Sequence, residues 1–466
     1  MKRINYIAMV FVALIAFSGC KKQLELQPTD TFSDANAFLT IKDIQLGAHE
    51  AYLRYGNAYI NDIYVSALLS DEARLGIDNA GQGAITYRYQ FNSDNTAGGD
   101  VIGAFGAYYR LIDQVNRVLS FVPTVTATTE EEPRRNILKA QLLALRGIGH
   151  FGLLQSYSKN YNPTDPNGIP LMLKSDALGK PSRNTMGEVM TQIEADLNEA
   201  KGLLPNETAG SFKDTVMNKV NIAAYQARIA LYKKDYAGAI TYSTEVIKSL
   251  VKPLVSGTDF NGIWSDANSF ESLFRIRYSN STALGALWTT TGGQIYVGPS
   301  DKLVASYSAD DIRRNAYIGT SGGNNYVKKH FNSARGGRVV DLKASRIAEM
   351  YLIRAEAYAK SATPDLALGG ADLNTLRKAR ITDYVDETFG SAAELTTAVL
   401  EERFKELAFE GFRFWDLKRN DLPVQRAASD ANPAWQNLPV GSNRFVLPIP
   451  RGEILLNPNI AQNDGY

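Results

Sequence analysis

The sequence predicts a mostly α fold, a tetratricopeptide-like helical-repeat scaffold that carries irregular, loop-rich insertions. Three observations predict it. Apolar residues recur at helical spacing through much of 33–250 and again through 346–419. Small residues Ala227, Ala230 and Ala239 are spaced as in helix pairs that approach closely, and Ala355, Tyr358 and Ala367 repeat the theme at the same offsets. Between these runs, residues 77–99 and 251–345 are rich in Gly, Ser, Asn and Thr with scattered aromatics, the composition of ordered, functional loops.

The elements follow in order. SDANAFLTIKDIQLGAHEAYLRYG (33–56) reads as a helix capped by Ser33 or Asp34 and ended by Gly56. INDIYVSALLSDEARLG (60–76) reads as a second. DVIGAFGAYYRLIDQVNRVLSFVP (100–123) is a third, stopped by Pro123. EEPRRNILKAQLLALRGIGHFGLLQSYS (131–158) is a fourth, with Pro133 in its first turn, where proline is tolerated. Residues 184–205 give a fifth, capped by Asn184 or Thr185. Residues 218–250 give two helices that meet at Lys234–Asp235. In the insertions, FESLFRIRYS reads as a short strand, and the alternation Thr86-Tyr87-Arg88-Tyr89-Gln90-Phe91 places Tyr87, Tyr89 and Phe91 on one face of another.

The N-terminus is a targeting segment. Lys2 and Arg3 precede an apolar run from Ile7 to Phe17, and Ser18 and Gly19 lead to Cys20. The run is short for a membrane span. It resembles a lipoprotein signal (1–19) in which Cys20 becomes the lipidated residue, followed by a polar tether (20–33). Cys20 is the only cysteine, so lipidation leaves no thiol and no disulfide, and residues 34–466 must be held by packing as one domain.

Several chemistries are disfavoured. Fifty basic and 49 acidic residues give a net charge of +1, with no electrostatic case for nucleic acid. The three histidines, His49, His150 and His330, lack ligand-spaced neighbours, which argues against a zinc site or a nucleophile–histidine pair. No phosphate-binding loop is present. Paired carboxylates, as in sugar hydrolysis, are the remaining catalytic option, and Glu402, Glu406 and Glu410 fall at four-residue spacing on what reads as one helix. Charges three or four residues away and an apolar stripe of Phe404, Leu407 and Ala408 favour a structural role instead.

Several stretches together resemble the SusD/RagB family of nutrient-binding lipoproteins of the Bacteroidetes outer membrane. ERFKELAFEGFRFWDLKR (402–419) is similar to a family motif, as are RIAEMYLIRAEAYAK (346–360), LNTLRKAR (373–380) and SDEA (70–73). LLALRGIGHFGLLQSYSKNYNPTDPNGIPLM and the closing FVLPIPRGEILLNPNIAQNDGY are similar too, although Gly147 and His150 are unusual for the former. The likeness runs from Cys20 to Tyr466. It implies a non-enzymatic protein, lipid-anchored to the outer membrane and facing the cell surface. Such a protein binds glycans and caps a SusC-like TonB-dependent transporter that imports them. It also implies that 401–420 belongs to the helical core and that the insertions build the ligand site.

A sugar site needs aromatic faces flanked by hydrogen-bonding side chains. The candidates are Tyr87, Tyr89 and Phe91 in the early loop and Trp264, Trp288 and Tyr296 in the middle insertion. Arg74, Asn79 and Gln82, after SDEA, are the polar candidates. No cofactor is implied, and a calcium ion held by loop carboxylates stays open. Two rivals also stay open, a helical-repeat adaptor without a ligand and an extracellular glycosidase.

Overall fold

Helix α1 (Ile41–Leu69) opens where Thr40 and Asp43 cap each other: the Thr40 hydroxyl accepts from the Asp43 amide, and the Asp43 carboxylate accepts from the Thr40 amide at 2.8 Å. The computed structural model describes residues 37–466, apart from Ser281 and the side chains of residues 95–98 and Asn332. The signal, Cys20 and tether lie outside the described residues. Where the sequence suggests a break at Gly56, α1 runs on to Leu69, 29 residues in all. Gly56 is there for closeness rather than for a turn, because the Tyr278 hydroxyl occupies the place of a Cβ. The second predicted helix is therefore the C-terminal half of α1, and its tail, Ala73–Leu75, is strand β1.

A four-residue helix, α2 (Ala84–Tyr87), follows, then α3 (Asn95–Phe121), α4 (Glu132–Tyr157) and α5 (Met186–Leu203). Helix α3 packs on α1 and α4, and α5 packs on α4. Helix α4 is long and apolar enough to cross a membrane, but its apolar window is 83% buried inside the fold, so it is a core helix.

The helix pairs come next. Helices α6 (Lys219–Tyr232) and α7 (Tyr236–Lys248) pack together through buried Ala227, Ala230 and Ala239, and α7 packs on α8 (Ile347–Lys360). Helix α8 then contacts α9 (Leu366–Arg380) and α10 (Ala392–Glu406). In this second pair Ala355 is buried, but Ala367 faces solvent. The close approach to α8 is made two residues later, where a Cβ at Gly369 would lie 3.1 Å from the Ala355 carbonyl oxygen and 2.8 Å from Leu395 of α10. One side of α8 joins a cluster with α6 and α7, and the other joins a cluster with α9 and α10.

Among the described residues β structure is confined to two-stranded sheets. Strand β2 (Ser272–Ile276), inside FESLFRIRYS, pairs antiparallel with β4 (Leu342–Arg346), bracketing the middle insertion. Strand β1 pairs antiparallel with β3 (Val297–Pro299), which ties the early loop to that insertion.

The glutamates of 401–420 are not one helical row. Helix α10 ends at Glu406, Gly411 sits at φ +87° and helix α11 (Arg413–Arg419) restarts the chain. Glu410 lies in the turn. Glu402, Glu406 and Glu410 are buried, and apart from a Glu402–Lys405 pair on the same helix at 3.1 Å their partners come from remote elements. Glu402 accepts from Arg313 at 2.6 Å and Arg377 at 2.8 Å. Glu406 accepts from Arg346 and Arg380, both at 2.9 Å, and Glu410 from Lys329 and Arg346, both at 2.7 Å. Glu271 pairs with Arg346 and Arg380, and Asp311 with Arg313. Arg403 and Arg413 likewise leave their helical neighbours for Asp416 and Asp71.

This network seals a junction of α9, α10, β4 and the insertion. Burial pushes the Glu402 carboxyl up, but Arg313, Lys405 and Arg377 outweigh it and hold the group down to about 2. Such carboxylates cannot reach a substrate or lend a proton near neutral pH, which removes the sequence-level case for a hydrolytic pair here.

Candidate ligand-binding face

The early loop and the middle insertion meet at the β1–β3 pair. Beyond it, the Gly76 amide donates to the Tyr296 carbonyl at 2.8 Å, and the Asp78 carboxylate accepts from the Ile295 amide at 2.8 Å. Asn79 donates from Nδ2 to the carbonyls of Gln82 and Tyr296, both at 2.8 Å, while its Oδ1 accepts from the Gly81 amide. Gln82 Oε1 accepts from the Ala80 amide, leaving the rest of this exposed amide to solvent. Asn79 is thus the knot of the loop, and Gln82 its polar outer surface.

Helix α2 stands on this knot. The 86–91 stretch is helix and turn, not an alternating strand. Gly83 enters α2 at φ +66° and Tyr89 leaves it at φ +57°. Gln82, Ile85 and Arg88, spaced by three, all point to solvent. Half-buried Tyr296 joins the base of this loop through its carbonyl, which accepts from Asn79. At one end of the strip, the Arg88 guanidinium lies 5.3 Å from the ring centre of half-buried Trp435. Arg74, half-buried, is engaged with Asp301 at 3.2 Å.

The other aromatic candidates lie elsewhere. Tyr87 is buried, donates to the Asp430 carbonyl at 2.8 Å and is covered by the Arg426 guanidinium 3.8 Å above its ring. Burial pushes its phenol up to about 12. Tyr89 lies under the same guanidinium and donates to the Leu69 carbonyl. Phe91 is wholly buried between Tyr466 and Arg444. These three rings clamp the C-terminal segment to the core: Tyr87 and Phe91 are buried, and half-buried Tyr89 has the Arg426 guanidinium over its ring.

Trp264 and Trp288 are likewise core residues. Trp264 packs edge-on to Tyr317 and lies 4.2 Å from the Lys329 ammonium, while Trp288 sits against Phe409 at 5.3 Å. Their bulk fills the space between the insertion and the 401–420 turn, so ligand stacking on either is excluded while the fold is intact. Of the nine residues, the structure gathers Arg74, Asn79, Gln82 and Tyr296 at one face and withdraws the other five from it.

Sequence reasoning missed Arg88, Ile85 and Trp435. A signal for Trp435 existed, a lone tryptophan in the polar turn NPAWQN, a setting where an aromatic has little core to join. Among the described residues no group of three or more His, Cys, Asp or Glu side chains is arranged to hold a metal. His150 and His330 are buried clips: burial first of all pushes each ring down to about 3, and each is bonded to a backbone carbonyl, of Arg146 and Phe409 respectively.

Comparison with known proteins agrees with this architecture. A family model described as the SusD family matches residues 300–466, and one described as starch-binding associating with outer membrane matches residues 24–231. Two SusD-like proteins of Formosa agariphila are 24% and 22% identical over essentially the whole of both chains. A SusD superfamily protein from Bacteroides thetaiotaomicron superposes with a TM-score of 0.78 at 23% identity, covering 91% of this chain and all of its own. One described as a putative sugar binding protein, from Bacteroides vulgatus, gives 0.77 at 24% identity, covering 92% of this chain and 99% of its own. A laminarin binding SusD-like protein gives 0.68 at 20% identity, over 92% of this chain and all of its own.

Proposed function

This chain belongs to the SusD/RagB family, and from that premise we propose that it is a non-enzymatic glycan-binding lipoprotein of the outer membrane. It holds an oligosaccharide on the exposed face of α2 and passes it to a SusC-like TonB-dependent transporter. Cys20 carries the lipid, and the protein faces the cell surface. Names borne by relatives support the ligand class and the membrane association: one binds laminarin, another is a putative sugar binding protein, and one family model speaks of starch and the outer membrane.

One observation carries the choice of face. The early loop and the insertion are fastened by backbone pairing, and Gln82, Ile85 and Arg88 form an open strip that ends at the Trp435 ring, while the Tyr296 carbonyl is tied to Asn79 at the base of the loop. A flat ring with a polar and cationic rim offers CH stacking and hydroxyl hydrogen bonds, the two needs of a sugar. The glycosidase alternative has lost its carboxylates to the buried network. The test is affinity electrophoresis of residues 26–466 through a panel of soluble polysaccharides, with product analysis. Retardation by one glycan without new reducing ends supports the proposal, whereas accumulating products, or no retardation by any glycan, contradicts it.

A further inference from the structure

A second recess lies away from the α2 face and shares none of its residues. It is a cavity of about 280 Å³ walled by Lys418, Asn167, Asn443, Ser442, Gln462 and Phe445, near the small end of sites that hold small molecules. Lys159, Asn160, Lys418 and Asp421 also border another recess with Tyr161, Lys233 and Lys234, so the two recesses adjoin along these residues.

The setting of the Lys418 ammonium is unusual. Its Nζ donates to the carbonyls of Gln155 at 2.8 Å and Ser158 at 2.6 Å, and lies 5.4 Å from the ring centre of Trp415. An ammonium has three donors. Among the described residues no carboxylate lies within 4.0 Å of it, unlike the buried arginines of the neighbouring network. Burial alone pushes its pKa down to about 7. Asp421 and Asp464 also line the cavity, but both are exposed, and Asp421 is nearer to Lys234, at 3.9 Å. They are solvated charges at the rim rather than partners for the ammonium.

We propose that this cavity binds a small hydroxylated carboxylate, a sugar acid, whose carboxylate takes the third donor of Lys418 while Asn167, Asn443 and Ser442 meet its hydroxyls. A charge-assisted bond to a partly buried ammonium is a strong anchor. The amides around it suit hydroxyl groups, which both donate and accept. The site is independent of ligand binding at the α2 face.

The test is calorimetric titration of residues 26–466 with sodium glucuronate, with glucose as the neutral analogue. Saturable binding of glucuronate but not of glucose is expected. Lys418→Met is expected to weaken it at least ~10-fold, the scale of one lost charge-assisted bond. Val440→Trp is a second variant, because Val440 is exposed on the cavity wall and remote from the bonds of Lys418. It is expected to abolish binding by filling the space, and it decides the matter if Lys418→Met fails to fold. Absence of saturable glucuronate binding, equal binding of glucose, or unchanged affinity in Val440→Trp would overturn the proposal.

Discussion

Single residues divide into those that hold the fold and those that face outward, and burial sorts them. Trp435 is the half-exposed ring of the α2 face, so Trp435→Ala is expected to weaken glycan affinity ~10-fold, the scale of a lost aromatic anchor. Its melting temperature should stay near that of the parent. Trp288 is its opposite, a fully buried ring. Trp288→Ala is expected to cost about 3–5 kcal/mol, by the cavity it leaves, in chemical denaturation.

Glu72, in the SDEA segment, is buried; its Oε2 accepts from the Phe409 amide at 3.3 Å, and its Oε1 has no partner among the described residues. Burial pushes this carboxyl up to about 8. A group raised by folding stabilises fully below its unfolded pKa, near 4.5, and that contribution is lost as pH rises towards 8. Glu72→Gln, which cannot ionise, is therefore expected to gain stability relative to the parent between pH 5 and pH 8, read from melting temperatures across that window. A parallel pH profile for the two proteins would contradict this.

At the scale of elements, what was legible in the sequence followed from local chemistry. The α5 cap, the stop after Phe121, the meeting of α6 and α7 and the β2 strand each have nearby signals in cap residues, proline or alternation. The misreadings arose where distant packing overrode a local sign. Gly56 looked like a helix end but is a close approach to Tyr278. Residues 86–91 alternated like a strand, yet Tyr87, Tyr89 and Phe91 are drawn separately onto Arg426 and Arg444 from more than three hundred residues away. No local pattern reports such a partner, and so five of the nine candidate residues lie away from the proposed face, which Trp435 borders instead.

Gly411 is a true turn glycine between α10 and α11. Its φ of +87° and the packing of Ile63 3.3 Å from a notional Cβ both oppose a side chain. Gly411→Ala is expected to lose about 1–3 kcal/mol, the cost of a strained backbone, with ligand affinity unchanged.

Across the whole molecule, a buried charge network stands where a catalytic cluster was conceivable. Arg313, Arg346, Arg377, Arg380 and Lys329 balance Glu271, Asp311, Glu402, Glu406 and Glu410. The network joins parts of the chain that are far apart in sequence, so its loss should loosen the junction as a unit. Removing one carboxylate strands its cations: Glu406→Ala is expected to cost about 3–5 kcal/mol. The α2 face is separate from this joint, so the affinity of protein that remains folded should be unaffected.

The most direct test of the central claim is a calorimetric comparison, with the glycan retained in electrophoresis, of the parent with Trp435→Ala and Glu406→Ala under conditions where all three are folded. The account predicts lower affinity only in Trp435→Ala, with no hydrolysis in any sample. Full affinity in Trp435→Ala combined with loss in folded Glu406→Ala would place the ligand at the buried junction and contradict it.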